Sequence, residues 1–419
     1  MAGRQFFTGL IGTAAVAATV LVYGAGSALA ADKALAAEKV LGAGTIKIGG
    51  IFDTTGATSD VGSDYALSAK DAVAYINANG GINGKKLEMV ANDYAYKIPE
   101  AVNLYKTYKD EGIYLIQGWG TGDTNALKDM VNADKIVYMS ASYDTGISHP
   151  QDWTNTDGKA MPGTPYNFFV GTSYGDSIKA AMQFVKDSWT DKTRAPKVVF
   201  IYPDHPYGKN PIPAGKEMAK SLGLEIGPDQ DVSLKATEAV SQLTAMKAFN
   251  PDFAWIGGTV ASAAVIVKDA AKIGLTTKFL INVWGFNENL ARLAGGAAQE
   301  RVFGMVPFTM WGDNVPGMAP IMEMHNNNHK GDSHIQPYVQ NWVSMMVMWE
   351  ALKIADKKGA LNADGVKAAL ETLKDFDTGG LSAPITFTST DHRPNTALRI
   401  MTVNKDGAIV LVKKVEVKR

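Results

Sequence analysis

The chain has 419 residues, 46% of them apolar and 20% charged, with 41 basic residues against 42 acidic and a formal charge of -1. That length is too great for one ordinary lobe and suits two, each able to bury a core of its own. The even charge balance, and the lack of any basic run interleaved with aromatics, argue against nucleic acid or an anionic membrane as partner. There is no cysteine, so neither a disulfide framework nor a lipid-modified amino terminus is available, and the fold must rest on its own core.

The chain opens with Arg4, an uncharged run of apolar and small residues from Phe6 to Gly26, and then Ser27-Ala28-Leu29-Ala30. This pattern predicts a signal peptide over residues 1–30, cleaved before Ala31, and hence a periplasmic protein. A retained membrane anchor is the competing reading, because the apolar run is long enough to span. The small-residue site that follows at once favours cleavage. Residues 31–44 are expected to form a mobile mature amino terminus.

From Ile46 the pattern alternates. A β-rich run, Ile46–Phe52, predicts a buried parallel strand, and Asp53-Thr54-Thr55-Gly56 ends it. Tyr65, Leu67, Ala69, Ala72, Val73 and Ile76 recur at helical spacing, and Asn79-Gly80-Gly81 stops that helix. Strands are predicted at Leu87–Val90, Tyr114–Gln117 and Ile136–Met139, with helices at Ile98–Tyr108 and Asn125–Val131. Ser148–Thr164 reads as a surface insertion, and Tyr166–Val170 as the first crossing to a second lobe. The alternation then restarts: strands at Lys197–Tyr202, Phe253–Ile256 and Lys278–Asn282, helices at Ile178–Ser188, Gly215–Leu222 and Ala261–Ile273. A long apolar helix at Pro337–Ala355 and a β-rich tail, with Ala397–Val403 and Ala408–Val417, complete the chain. Strands alternating with helices twice over predict two parallel α/β lobes. The expected division is 45–167 with 286–375 in the first lobe, and 168–285 with 376–419 in the second.

Parallel α/β sheets bind ligands beyond the carboxyl ends of their strands. In the first lobe those positions hold Trp119-Gly120-Thr121 and Ser142-Tyr143-Asp144. In the second they hold Tyr207, Thr259, Ser262 and Trp284. Thr121 opens a helix whose backbone N–H groups suit a polar anion, while Asp123 suits a helix cap. Ser, Tyr and Asp after the fourth strand can surround a polar solute, although turns also favour Ser and Asp. Aromatics at the strand ends supply apolar walls with a polar handle.

Motifs of catalysis fail on spacing. Gly80-Gly81-Ile82-Asn83-Gly84-Lys85-Lys86 leads into a strand rather than a helix and is a tight turn, not a phosphate loop. Gly118-Trp119-Gly120-Thr121-Gly122-Asp123 has Asp where a dinucleotide loop needs its third glycine. His325, His329 and His334 read as a hydrophilic helix end rather than a zinc site, and His392 as part of a turn. No nucleophile, base or metal cage is assembled, so neither an enzyme nor a cofactor is expected.

With these residues placed, the chain resembles the leucine/isoleucine/valine-binding family of periplasmic solute receptors for ABC importers. The likeness spans Thr45–Val403 and rests on IKIGGIFDTTGATSDVG, on INANGGINGKKLE at Ile76–Glu88, on VVFIYPDHPYG at Val198–Gly208, and on GGLSAPITFTSTDHRPN at Gly379–Asn395. It implies a type I periplasmic binding protein fold: two Rossmann-like lobes joined by three crossovers, closing like jaws on a small solute as a monomer that then meets a permease in the inner membrane. It also implies that Thr121, Ser142 and Asp144 occupy the places that hold an amino acid's carboxylate, that Ser262 occupies the place of the acid that holds its ammonium, and that Tyr207 lines the cleft. Two of these depart from the family. An Asp144 carboxylate ~4 Å from a ligand carboxylate would oppose it by about 4 kcal/mol at a surface-like dielectric, and Ser262 removes the ammonium's partner. The expected solute is therefore small and polar, amino-acid-like or aromatic, with a sensory module for a signalling partner as the alternative role.

Overall fold

The computed structural model describes residues 44–418, so the signal-peptide reading falls outside the described residues. Two sheets form. The first runs in the order Lys86–Asp93, Thr45–Phe52, Leu115–Gly118, Val137–Ser140, Asn167–Phe168, with every pair parallel. The second runs Gln230–Asp231, Lys197–Tyr202, Phe253–Ile256, Lys278–Ile281, Val302–Val306, all parallel. Two antiparallel strands, Ala397–Val403 and Ile409–Glu416, extend it.

Helices cover these sheets for reasons visible in the residues. Ser59–Ala78 turns Val61, Tyr65, Ala69, Ala72 and Ile76 inward, one turn apart. It stops where Gly81 N–H reaches Ile76 O at 2.8 Å and Gly80 N–H reaches Asn77 O at 3.3 Å, with Gly80 at φ +90°. That pairing closes the helix's last carbonyls and needs a left-handed residue, which glycine supplies. The apolar helix Gln336–Lys357 packs against Ser59–Ala78. Its Asn341 and Ser344 accept from Gln117 Nε2 at 2.5 and 3.0 Å, satisfying a polar side chain buried in the third strand.

Three connections link the sheets. The first falls within the stretch Tyr166–Val170 read as a crossing: Asn167–Phe168 still pairs with Val137–Ser140, so the chain leaves the first lobe after Phe168. The second differs from the sequence reading. Position 286 was expected to begin the return to the first lobe, but Phe279 pairs with Val302 and Ile281 with Gly304, so the second sheet holds the chain until Val306. The helix Glu288–Ala294 between them packs on the helix Val260–Lys272. Apolar Val302–Val306, buried on its sheet, finds a parallel neighbour there and none in the first lobe. The third connection follows Phe376, where paired bridges, Phe308 with Ser382 and Phe376 with Ile385, run before the strand at Ala397.

The histidines of the helix Met318–Asn328 and the segment after it also differ from expectation. His325 and His334 are buried. His329 Nε2 lies 2.8 Å from Asp71 Oδ2, and His334 Nδ1 lies 3.3 Å from Asp64 Oδ1. The polar composition is spent on tying this segment to the helix Ser59–Ala78, not on solvent. His392 is buried too, with Nδ1 2.8 Å from Asn167 O.

Candidate functional site

In each sheet the strand order reverses once, and the carboxyl ends at that reversal open a crevice. In the first sheet it lies between Thr45–Phe52 and Leu115–Gly118; in the second, between Lys197–Tyr202 and Phe253–Ile256. The two crevices face each other across one cavity. Thr58, Val61, Tyr96, Trp119, Gly120 and Thr121 line it from the first lobe, and Tyr174, Tyr207, Thr259 and Trp284 from the second. It leaves about 20 Å³ in which the centre of a water molecule can sit, room for about one.

The first lobe's wall is built from Asp53 outward. Its buried carboxylate accepts from Gly56 N at 2.5 Å, Thr58 N at 2.8 Å and Thr58 Oγ1 at 2.6 Å. Thr58 Oγ1 in turn accepts from Trp119 Nε1 at 2.8 Å, which fixes the indole. Gly62 lets the helix sit this close, since a Cβ there would lie 1.9 Å from Asp53 O. Beyond Trp119, the helix Thr121–Asp134 starts four residues earlier than the apolar periodicity suggested, because its first turn is buried but polar. Asp123 caps it as expected, accepting from Gly120 N at 3.2 Å and from Tyr94 OH at 2.7 Å. Burial pushes its carboxyl up to about 7 against the pull of those hydrogen bonds.

Four of the residues singled out in the sequence stand one layer behind the wall. Ser142 Oγ is 2.7 Å from Thr121 Oγ1 and orients it. Tyr143 donates to Gln340 Oε1 at 2.9 Å and stacks on Trp284 with centroids 5.7 Å apart. Asp144 Oδ1 accepts from Gly146 N at 2.6 Å and, across the lobes, from Asn210 Nδ2 at 2.6 Å. That carboxylate is thus turned to the second lobe, and the expected clash with a ligand carboxylate is not made through the cavity wall. Ser262 Oγ donates to Thr259 O at 3.0 Å inside its own helix.

The second lobe holds its rings as firmly. Trp284 Nε1 donates to Tyr174 OH at 2.8 Å, and Tyr207 OH to Gly258 O at 3.2 Å. Thr259 Oγ1 is buried without a hydrogen-bond partner. Asp60, from the first lobe, accepts from Ala261 N at 2.9 Å and so caps a second-lobe helix. Burial raises its pKa.

Of the ten residues expected at the site, Trp119, Gly120, Thr121, Tyr207, Thr259 and Trp284 reach the cavity. Thr58, Val61, Tyr96 and Tyr174 do so unannounced. Tyr96 arrives through a turn in which both Ala95 and Tyr96 have positive φ, and its ring lies 5.1 Å from that of His205 on the other lobe. No sequence period marks such a turn. Tyr174 could have been found, since Ser173 three residues ahead of Asp176 is a helix-start signal directly after the crossing, and Ser173 Oγ does accept from Asp176 N at 3.1 Å. Among the described residues no group of three or more His, Cys, Asp or Glu could hold a metal ion.

A family model described as periplasmic binding protein matches residues 45–408. A solved ABC transporter substrate-binding protein of Aeropyrum pernix is 32% identical, with a TM-score of 0.80 over 89% of this chain and 96% of that one. A fatty acid ABC transporter substrate-binding protein of Thermomonospora curvata has a TM-score of 0.79 at 21% identity, over 89% of this chain and 93% of the other. The Leu/Ile/Val-binding protein of Citrobacter freundii is 22% identical over 281 residues, 66% of this chain and 71% of its own length.

Proposed function

The chain belongs to the periplasmic binding protein family, and on that premise we propose that it is the solute receptor of an ABC importer, taking a small solute that is not an ordinary α-amino acid. One observation carries this: a single cavity is walled from both lobes at the reversal point of each sheet. A solute there touches both lobes only when they are together. Its differential affinity for that arrangement therefore drives closure. The protein's own cross-lobe contacts, Asp144 with Asn210, Asp60 with Ala261 N and Tyr96 with His205, hold the closed form. In a receptor of this kind, outer faces of the two lobes would match the permease only after closure.

The walls argue for an aromatic, amide-like or otherwise ring-compatible solute. Five of the ten lining residues are aromatic, and neither lysine nor arginine is among them. No acid stands at Ser262 to receive an α-ammonium group. Relatives named for branched-chain amino acids and for a fatty acid support a fold that accepts varied cargo. The expected path to the periplasm is the leader over residues 1–30, with Ala31 as the mature amino terminus.

Native mass spectrometry of protein purified from the periplasm of its own cells tests this reading. One small molecule bound per chain, released on denaturation, is expected. Recovery of the chain only from the cytoplasm with its leader intact, and with no small molecule bound, would contradict it.

A further inference from the structure

We propose that the solute is a small organic cation, its alkylammonium or trimethylammonium group held by the ring walls of the cavity, which must stand further apart than the one-water spacing of this form to admit it; this rests on the receptor reading above. Tyr96, Trp119, Tyr174, Tyr207 and Trp284 surround the space, and no basic side chain lines it. Ring faces are electrically negative at their centres, and a desolvated cation is attracted to them, most strongly by tryptophan.

Three ring donors of the cavity are already given to the protein. Trp119 Nε1 is given to Thr58 and Trp284 Nε1 to Tyr174. Tyr207 OH is given to Gly258 O. A carboxylate or phosphate entering here would meet no lysine or arginine on the walls.

The helix ends tell the same story. Anions commonly settle at helix N-termini, and two such ends, at Thr121 and Val260, face the cleft. Each already carries a carboxylate of this chain, Asp123 on Gly120 N at 3.2 Å and Asp60 on Ala261 N at 2.9 Å. Burial lowers the pKa of His205, the imidazole against Tyr96, so that ring supplies no counter-charge at neutral pH. The unpartnered Thr259 Oγ1 on the cavity wall remains to receive a hydroxyl or N–H carried by the same solute.

Tryptophan fluorescence of the mature chain, titrated with tetramethylammonium, with choline and with 3,3-dimethyl-1-butanol, the uncharged isostere of choline, tests the charge directly. Choline is expected to bind about 100-fold tighter than the isostere. Trp119→Leu should lower choline affinity by about tenfold or more, and Trp119→Phe by less, since a ring face remains. Equal affinity for the isostere, or no response to either ammonium ion at millimolar concentration, overturns the proposal. Valine and benzamide run alongside separate the two claims. Saturable binding of benzamide, with choline silent, removes the cation and leaves the receptor reading standing, whereas saturable binding of valine also removes the exclusion of α-amino acids.

Discussion

The indole rings of Trp119 and Trp284, which follow strands of different sheets, meet with centroids 4.9 Å apart at an interplanar angle of 63°. Tyr65 lies edge-on to Trp119 at 4.9 Å, and Tyr143 stacks on Trp284, so each indole is backed by a ring of the first lobe. The pair forms the floor on which both lobes act together. Truncating either indole removes one face of the grip. Trp119→Leu and Trp284→Leu should each cost about 1–2 kcal/mol of solute binding, roughly a five- to thirtyfold loss by calorimetry. Unchanged affinity in both would place the solute elsewhere.

Asn210 Nδ2 donates to Asp144 Oδ1 across the cleft. A hydrogen bond to a charged group contributes about 1.5–3 kcal/mol, and this one exists only when the lobes are together. Asn210→Ala should therefore weaken solute binding by about tenfold or more while leaving the melting temperature of the solute-free chain nearly unchanged. Spin labels on cysteines introduced at Lys106 and Lys220, exposed on opposite lobes, would report a shift toward longer separations in that variant. The chain's lack of native cysteine keeps the labels specific. An unaltered distance distribution and affinity would show that this contact does not bias closure.

Asp123 gives the stability a signed pH dependence. Burial lifts its carboxyl to about 7, against ~3.9 in an unfolded chain. The folded state thus holds the proton more tightly between those values. The stability this adds is complete below about pH 4 and is lost as pH rises toward 7, by on the order of 4 kcal/mol at most. Asp123→Asn, which keeps an acceptor for the Gly120 and Tyr94 donors, should flatten the fall in melting temperature across that window relative to the parent. An identical slope in both proteins would refute the assignment.

Gly62 is the tightest approach under the site. A Cβ there would stand 1.9 Å from Asp53 O and 3.4 Å from the Trp119 ring. Gly62→Ala should destabilise by about 1–3 kcal/mol through overpacking and displace the Asp53–Thr58–Trp119 chain of hydrogen bonds. Urea unfolding gives the first effect and near-ultraviolet circular dichroism the second. An unchanged midpoint would mean the loop yields freely.

Much of the fold could be read directly from the residues. Lys197–Tyr202 and Phe253–Ile256 are strands between the expected bounds, because short β-branched and aromatic runs flanked by turn residues leave little choice. Val302–Val306 went unnoticed: its five residues include Gly304, and only its neighbour Lys278–Ile281 makes it a strand. At the site, residues directly after strands were legible because the topology alone puts them at the cleft. Whether a side chain forms the wall or backs it was not. Ser142 and Asp144 read as contacts, yet their partners are Thr121 and Asn210, 21 and 66 positions away in the chain. Tyr96 was invisible for the same reason, since its place depends on two left-handed residues and on a ring of the opposite lobe.

The crystal structure of the chain with its co-purified solute tests the clamp most directly. The solute is expected against the cavity faces of Trp119 and Trp284, with contacts from both sheets in the same molecule. Density for it outside this cleft, or in contact with residues of one lobe alone, would contradict the account.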